Sequence, residues 1–294
     1  MTLVEMVVAI TLLAILGSVT VVFMLRPIQG YVDLTRRAAL VEAAESALRR
    51  QARDVRLALP RSVRIQNLAA GYAVEVLPTI EGAMYRRRNN VNGTLPTSNR
   101  LQTGGVGDAD GFDIHKFFRN ITVPSSSTTH RLVINNLGGS ALATNAYLAP
   151  NTSQQTVITL QPMTISYSAT GANGAHNILM TPAYRFNGHS SNQRIYVIET
   201  PVSYLCAANA ADPAAGTLTR YYNYPITASQ PTTAAAFAAV NASSARVTDR
   251  VSACSLTTTT GDVRTRALAT FTLTLADQGE EVRLVHQVMV DNSP

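Results

Sequence analysis

Charge is scarce in this chain: Asp, Glu, Lys and Arg make up 14% of its 294 residues, and Lys116 is the only lysine. Cysteine is nearly absent too, with Cys206 and Cys254 alone. Neither has a His or Cys at the spacing a zinc site uses. The five histidines, His115, His130, His176, His189 and His286, are scattered. None stands beside a Ser or Cys in a nucleophile-elbow context such as G-x-S-x-G. These gaps argue against zinc and leave no catalytic constellation in view, so neither enzyme activity nor a cofactor is expected. Basic residues are also missing ahead of the first apolar run, and Arg26-Pro27 stands where a small-residue cleavage site would be. A cleaved secretory signal has both, around an apolar core of only about 7–15 residues. The start of this chain fits that description poorly.

What is there instead is one long apolar run. Met6–Leu25 carries no charge and is preceded immediately by Glu5. As a helix it spans about 30 Å, the hydrocarbon thickness of a bilayer. A carboxylate placed deep and unpaired at that level costs about 2.5–3.5 kcal/mol. Glu5 therefore calls for a cation, and a terminal amine, its own or a neighbour's, is the nearest candidate. A plain single-pass anchor is the simpler alternative, and Glu5 argues against it.

The helix is expected to continue. Leu34, Ala38, Val41, Glu45, Leu48, Ala52, Val55 and Leu59 recur at spacings of three and four, mostly apolar, and Pro60 stops the run. Continuous from the start, it would be about 87 Å long. A kink is expected across Arg26-Pro27-Ile28-Gln29-Gly30, with Gly17 a second weak point. The stem is basic, with Arg36, Arg37, Arg49, Arg50, Arg53, Arg56, Arg61 and Arg64 against Asp33, Glu42, Glu45 and Asp54. Such charge could meet anionic lipid headgroups, acidic faces of neighbouring subunits, or only water. No recognised motif supports nucleic-acid binding, despite Tyr85-Arg86-Arg87-Arg88.

Beyond Pro60 the pattern alternates. Strands are expected at 63–65, 72–77, 131–134, 156–160, 164–167, 194–199 and 218–222. A closing hairpin is expected from Ala267–Leu275 and Glu281–Val290 around Ala276–Glu280, with Gly279 free to take positive φ. The stretch 88–111 reads as a long loop. Surface excursions are expected at 207–215 and 227–244, the latter with a short Ala-rich helix. Asp108, Asp110 and Asp113 are spaced as in a calcium loop, but the acidic twelfth position of an EF-hand is missing, and an Asp/Gly turn is the plainer reading. If the anchor places the head outside the cytoplasm, Cys206 and Cys254 are expected to form a disulfide; two buried free thiols are the alternative.

The segment Thr2-Leu3-Val4-Glu5 followed by an apolar helix resembles the processed N-terminus of type IV pilins and pseudopilins. Further segments are similar to the MshO-type minor pilins of the mannose-sensitive haemagglutinin pilus. These are Pro27–Asp33 and Arg53–Pro60 in the stem, Val202–Cys206, Leu218–Tyr222, Val251–Cys254 and Gly279–Pro294. The likeness covers roughly the first 65 and last 95 residues and fades between them.

The resemblance implies an α+β, pilin-like fold: a long N-terminal helix packed on an antiparallel β-sheet head. Residues 1–29 would be the transmembrane and filament-core helix, 30–60 an amphipathic stem and 61–294 the head. It implies filament assembly through Met1 and Glu5, with Gly17, Pro27 and Gly30 as places where the helix kinks or unwinds. The expected partners are other pilin subunits, the inner membrane before assembly and the pilus assembly machinery, with no nucleic acid. The expected location is the bacterial inner membrane with a periplasmic head, then a filament. A minor subunit priming or capping a type IV pilus is the leading expectation. A J-type pseudopilin of type II secretion and a non-polymerising anchored adhesin are the alternatives.

Overall fold

The computed structural model describes residues 2–87, 100–104, 111–115, 117–148, 155–171, 175–259 and 266–291. Helix α1 spans Leu3–Arg56, 54 residues or about 81 Å. Its backbone remains helical through Pro27 and Gly30. Leu57 caps the C-terminus, its N–H donating to the Arg53 carbonyl at 3.1 Å. The helix thus stops before Pro60, the expected breaker. The residue preceding a proline resists the helical region. Here the turn into extended chain begins earlier still, because Leu57 O accepts from Thr79 N–H and Leu59 N–H donates to Leu77 O, each at 2.7 Å. That turn places Leu59 in the core.

Only the second half of α1 meets the head. Leu3 is 82% exposed and Leu40 is 4% exposed. Arg36 bonds the head at Gln278 and Asp277 about 50 Å along the helix from Leu3. The buried seam is Leu40, Ala44, Ala47, Leu48, Gln51, Ala52 and Val55. Of the apolar stripe expected from the sequence, Leu48, Ala52 and Val55 lie on this seam, and Leu59 is buried just beyond the helix. Leu34, Ala38, Val41 and Glu45 face outward instead. Leu34 lies on the free part of the helix, and the small Ala44 and Ala47 form the close approach to the sheets.

The seam packs chiefly on β14 (Arg266–Asp277) and β15 (Glu280–Asp291), which with β13 (Val251–Thr259) form a three-stranded antiparallel sheet. A five-stranded antiparallel sheet shares the same core, ordered β1 (Arg64–Leu68), β2 (Gly71–Val76), β10 (Val202–Ala207), β11 (Thr217–Tyr222), β12 (Ser243–Asp249). The β14–β15 hairpin closes through Gln278 and Gly279 at positive φ, with Asp277 opposite Glu280. Two central residues with positive φ match the twist of the flanking strands, so the turn is tighter than the expected Ala276–Glu280. Helix α2 (Ala234–Ala239), in the expected 227–244 excursion, buries Phe237 between Tyr221 and Tyr224 on the far face of the five-stranded sheet.

Val76 of β2 pairs directly with Val202 of β10. Everything between these two positions is therefore an insertion. It forms two further antiparallel sheets. One is β3 (Thr79–Met84), β9 (Arg194–Ile198) and β6 (Arg131–Ile134). The other is β4 (Gly111–Asp113), β8 (Asn177–Thr181), β7 (Thr164–Ser168) and β5 (Ser125–Ser127). The insertion has its own core of Tyr85, Phe112, Ile165, Tyr167, Phe186 and others. A third cluster, holding Leu59, Leu77, Tyr147, Ile198 and Ile226, joins it to the end of α1.

At the level of an apolar N-terminal helix with antiparallel sheets the α+β expectation holds, but the head carries four sheets where one was expected. Residues 156–160 do not form the expected strand; Ile158 makes a single bridge to Val133. Thr156 and Thr159 instead turn their hydroxyls to buried backbone, with Thr159 Oγ1 accepting from Leu132 N–H at 3.0 Å. Within the expected 88–111 loop, Leu101 is buried and Thr103 bridges to Phe186; 88–99 and 105–110 lie outside the described residues.

Candidate functional site

The apolar end of α1 and the anchorage of its other end make up the candidate site. Leu3–Thr20 is long and apolar enough to cross a membrane, and none of it is buried. A membrane anchor and a signal sequence share those properties. Thr2 and Glu5 start the helix as a capping box. Glu5 N–H donates to Thr2 Oγ1 at 3.4 Å, and Glu5 Oε2 accepts from Thr2 N–H at 2.8 Å. This satisfies two donors that a helix start otherwise leaves unpaired. Among the described residues no hydrogen bond reaches Glu5 Oε1. Met1 lies outside the described residues. Gly17 and Gly30 sit in the unbroken helix, where an added Cβ would meet nothing within 4 Å.

Polar contacts fix the other end of α1 on the head. Asp54 Oδ2 accepts from Tyr204 OH at 2.7 Å and from Arg220 Nε at 2.8 Å. Gln51 Oε1 accepts from the fully buried Tyr72 OH at 2.6 Å. Burial raises the pKa of both phenols, and the Asp54 charge raises Tyr204 further. Both remain hydrogen-bond donors across the physiological range.

Where α1 leaves the head, Arg36 reaches Gln278 Oε1 at 2.7 Å and Asp277 at 3.6 Å. Arg250 holds the same Asp277 at 2.9 Å. The hairpin tip is thereby tied to the helix, and β15 runs beside it from Arg36 toward His286, which lies in a groove with Arg53 and Arg56.

Further in, Glu75 is buried and paired with Arg64, whose guanidinium stacks 3.6 Å over Tyr147. Burial raises the Glu75 pKa, and the attraction of Arg64 opposes the rise. Since Tyr147 belongs to the insertion's side, Arg64 links the two lobes.

Cys206 and Cys254 form a disulfide that joins β10 to β13 and so staples the five-stranded sheet to the three-stranded one. Among the described residues no group of three or more His, Cys, Asp or Glu could hold a metal ion. Of the calcium-loop candidates, Asp108 and Asp110 lie outside the described residues. Asp113 is fully buried in β4, accepting from Asn177 Nδ2 at 3.0 Å with Arg86 at 3.6 Å.

Sequence reading missed Gln51 and Asp54 as anchors. The available signal was a pair of polar residues one turn apart flanking the apolar positions Ala52 and Val55, which in a buried seam demands partners. Compared with known proteins, the chain matches no family model, no curated protein and no solved structure.

Proposed function

We propose that this chain is a pilin-like subunit that assembles into a type IV filament through its N-terminal helix, in the role of a minor subunit that primes or caps the fibre. The observation that carries the reading is the free apolar length of α1, rooted in the head at one end and beginning with a carboxylate at the other. Bare apolar surface of that extent is stable only in lipid or against other apolar helices. A bilayer holds it before assembly, with the head periplasmic; a bundle of like helices holds it afterwards.

In that bundle Glu5 is neutralised by a cation of a neighbouring subunit. The capping box engages Oε2, and among the described residues Oε1 is open to that contact. An unpaired carboxylate in an apolar bundle is costly, so the pairing selects axial register. The partners are other pilin subunits and the assembly machinery, and neither nucleic acid nor a cofactor is part of the reading. The pilin-like character of the head rests on the same proposal.

The test is Glu5→Gln, which keeps helix propensity. The expected variant has a folded head and a closed disulfide but enters surface fibres at least about tenfold less often, the effect of about 1.4 kcal/mol. Fibres are imaged, and their subunits identified by mass spectrometry. Unchanged incorporation of the variant sinks the proposal. Long surface fibres containing the chain separate it from a short periplasmic pseudopilin.

A further inference from the structure

The outward side of α1, opposite the Ala44–Ala47 seam, carries charge that neither the fold nor the apolar helix uses. Arg49, Arg50, Arg53 and Arg56 lie within about two turns, all exposed. Grooves flank them on both sides, one shared with Glu42, Glu45, Asp54 and Arg220 of β11 and one toward His286 of β15. Arg49 pairs with Glu45, and Arg220 with Asp54. Among the described residues Arg50, Arg53 and Arg56 have no carboxylate within ion-pairing distance. Like charges three and four apart on a helix repel, and an anion laid along the ridge relieves that repulsion.

Three sources of negative charge compete for this ridge, and distance and charge decide among them. Lipid headgroups are out of reach. Arg49 stands about 36 Å along the unbroken helix from Leu25, more than four Debye lengths of about 8 Å at physiological salt. A second copy is disfavoured, since the chain carries a net charge of +6 and would bring ridge against ridge. An acidic neighbour satisfies both conditions.

We propose that the Arg49–Arg50–Arg53–Arg56 ridge is a docking face for an acidic polypeptide surface on a subunit different from this chain. Its setting rests on the filament-subunit reading, whereas its test is made on the unassembled chain, so failure of either leaves the other standing. Arginine suits the role because its planar fork pairs with carboxylates through two parallel hydrogen bonds.

The test uses the full chain in zwitterionic detergent micelles with a short labelled poly-L-glutamate as probe, read by fluorescence anisotropy. Binding is expected to weaken as salt rises. The triple variant Arg50→Gln, Arg53→Gln, Arg56→Gln is expected to bind at least about tenfold more weakly, as loss of three charge-assisted contacts requires. The double variant Arg246→Gln, Arg283→Gln alters exposed arginines on β12 and β15 that line neither groove, and is expected to bind as the parent does. Equal binding by the triple variant overturns the proposal, as does equal loss in the double variant, which reduces the effect to net charge. Sedimentation in the same micelles tests the partner's identity: self-association that the triple variant abolishes assigns the ridge to a second copy and overturns the heterotypic claim.

Discussion

Burial holds the imidazoles of His130 and His189 below their ordinary pKa. Glu199 opposes the shift at His130, while Arg87 and Arg100 add to it at His189. His130 Nδ1 lies 2.9 Å from Tyr167 OH, and His189 Nδ1 lies 3.3 Å from Tyr85 OH. A depressed pKa means that the folded chain binds fewer protons than the unfolded one just below about pH 6.5. The stability these residues contribute is complete above that pH and is lost as pH falls through their folded values. The midpoint of thermal unfolding, followed by circular dichroism, is therefore expected to drop between about pH 6.5 and 5. His130→Gln with His189→Gln is expected to flatten that slope; a slope unchanged in the double variant removes these residues as its cause. Glu75 works in the opposite sense, because its raised pKa favours the folded state below the ordinary carboxylate range and ceases to do so as pH rises through its folded value. None of this was legible in the sequence, where the five histidines are only scattered letters and their environments come from strands distant in the chain.

At the scale of the element, the seam of α1 decides how closely the helix lies on β14 and β15. Ala44 and Ala47 are fully buried, and a larger side chain there has no room. Ala47→Leu is expected to cost about 1–3 kcal/mol through overpacking. Leu34→Ala, on the free part of the helix, is expected to change the stability of the head by less than about 0.5 kcal/mol. Thermal unfolding of the two variants checks both, and a neutral Ala47→Leu would contradict the packing described. The existence and approximate end of α1 were legible because helix period and breaker are local signals, whereas the Thr2–Glu5 capping box at its start was not read. Its buried face was misjudged by about 70° of rotation. Large apolar residues drew the eye to Leu34 and Val41, whereas the closest approach falls on alanines whose small size is the point. The β14–β15 hairpin was legible for the same local reason. Strands β3, β4, β5, β8, β10, β12 and β13 were not; β10, for one, pairs with β2 across the whole insertion, and no local pattern reports that partnership. The disulfide was legible from cysteine count and the expected compartment, and Glu5 stood out as the acid beside an apolar run.

The whole molecule divides into a helix-bearing lobe and an insertion that begins and ends at one point of the five-stranded sheet. Because Val76 and Val202 are partners, replacing 78–200 with a short hairpin turn is expected to leave a chain that folds and closes Cys206–Cys254. It is expected to melt at a lower temperature than the parent, since Leu59, Leu77 and Ile226 lose their cover. Failure of the disulfide to form in that shortened chain would show that the lobe depends on the insertion. In the intact chain the disulfide closes a loop of 48 residues' separation and contributes about 4 kcal/mol in the chain-entropy model. The course of β15 beside α1, pinned at Arg36, has a mechanical consequence. A pull on the projecting end of α1 acts along the joint, so its contacts are sheared together instead of being peeled apart in turn. Tension applied to that end would then be carried as in a lap joint, with the sulfur bridge keeping the plates behind it from sliding open.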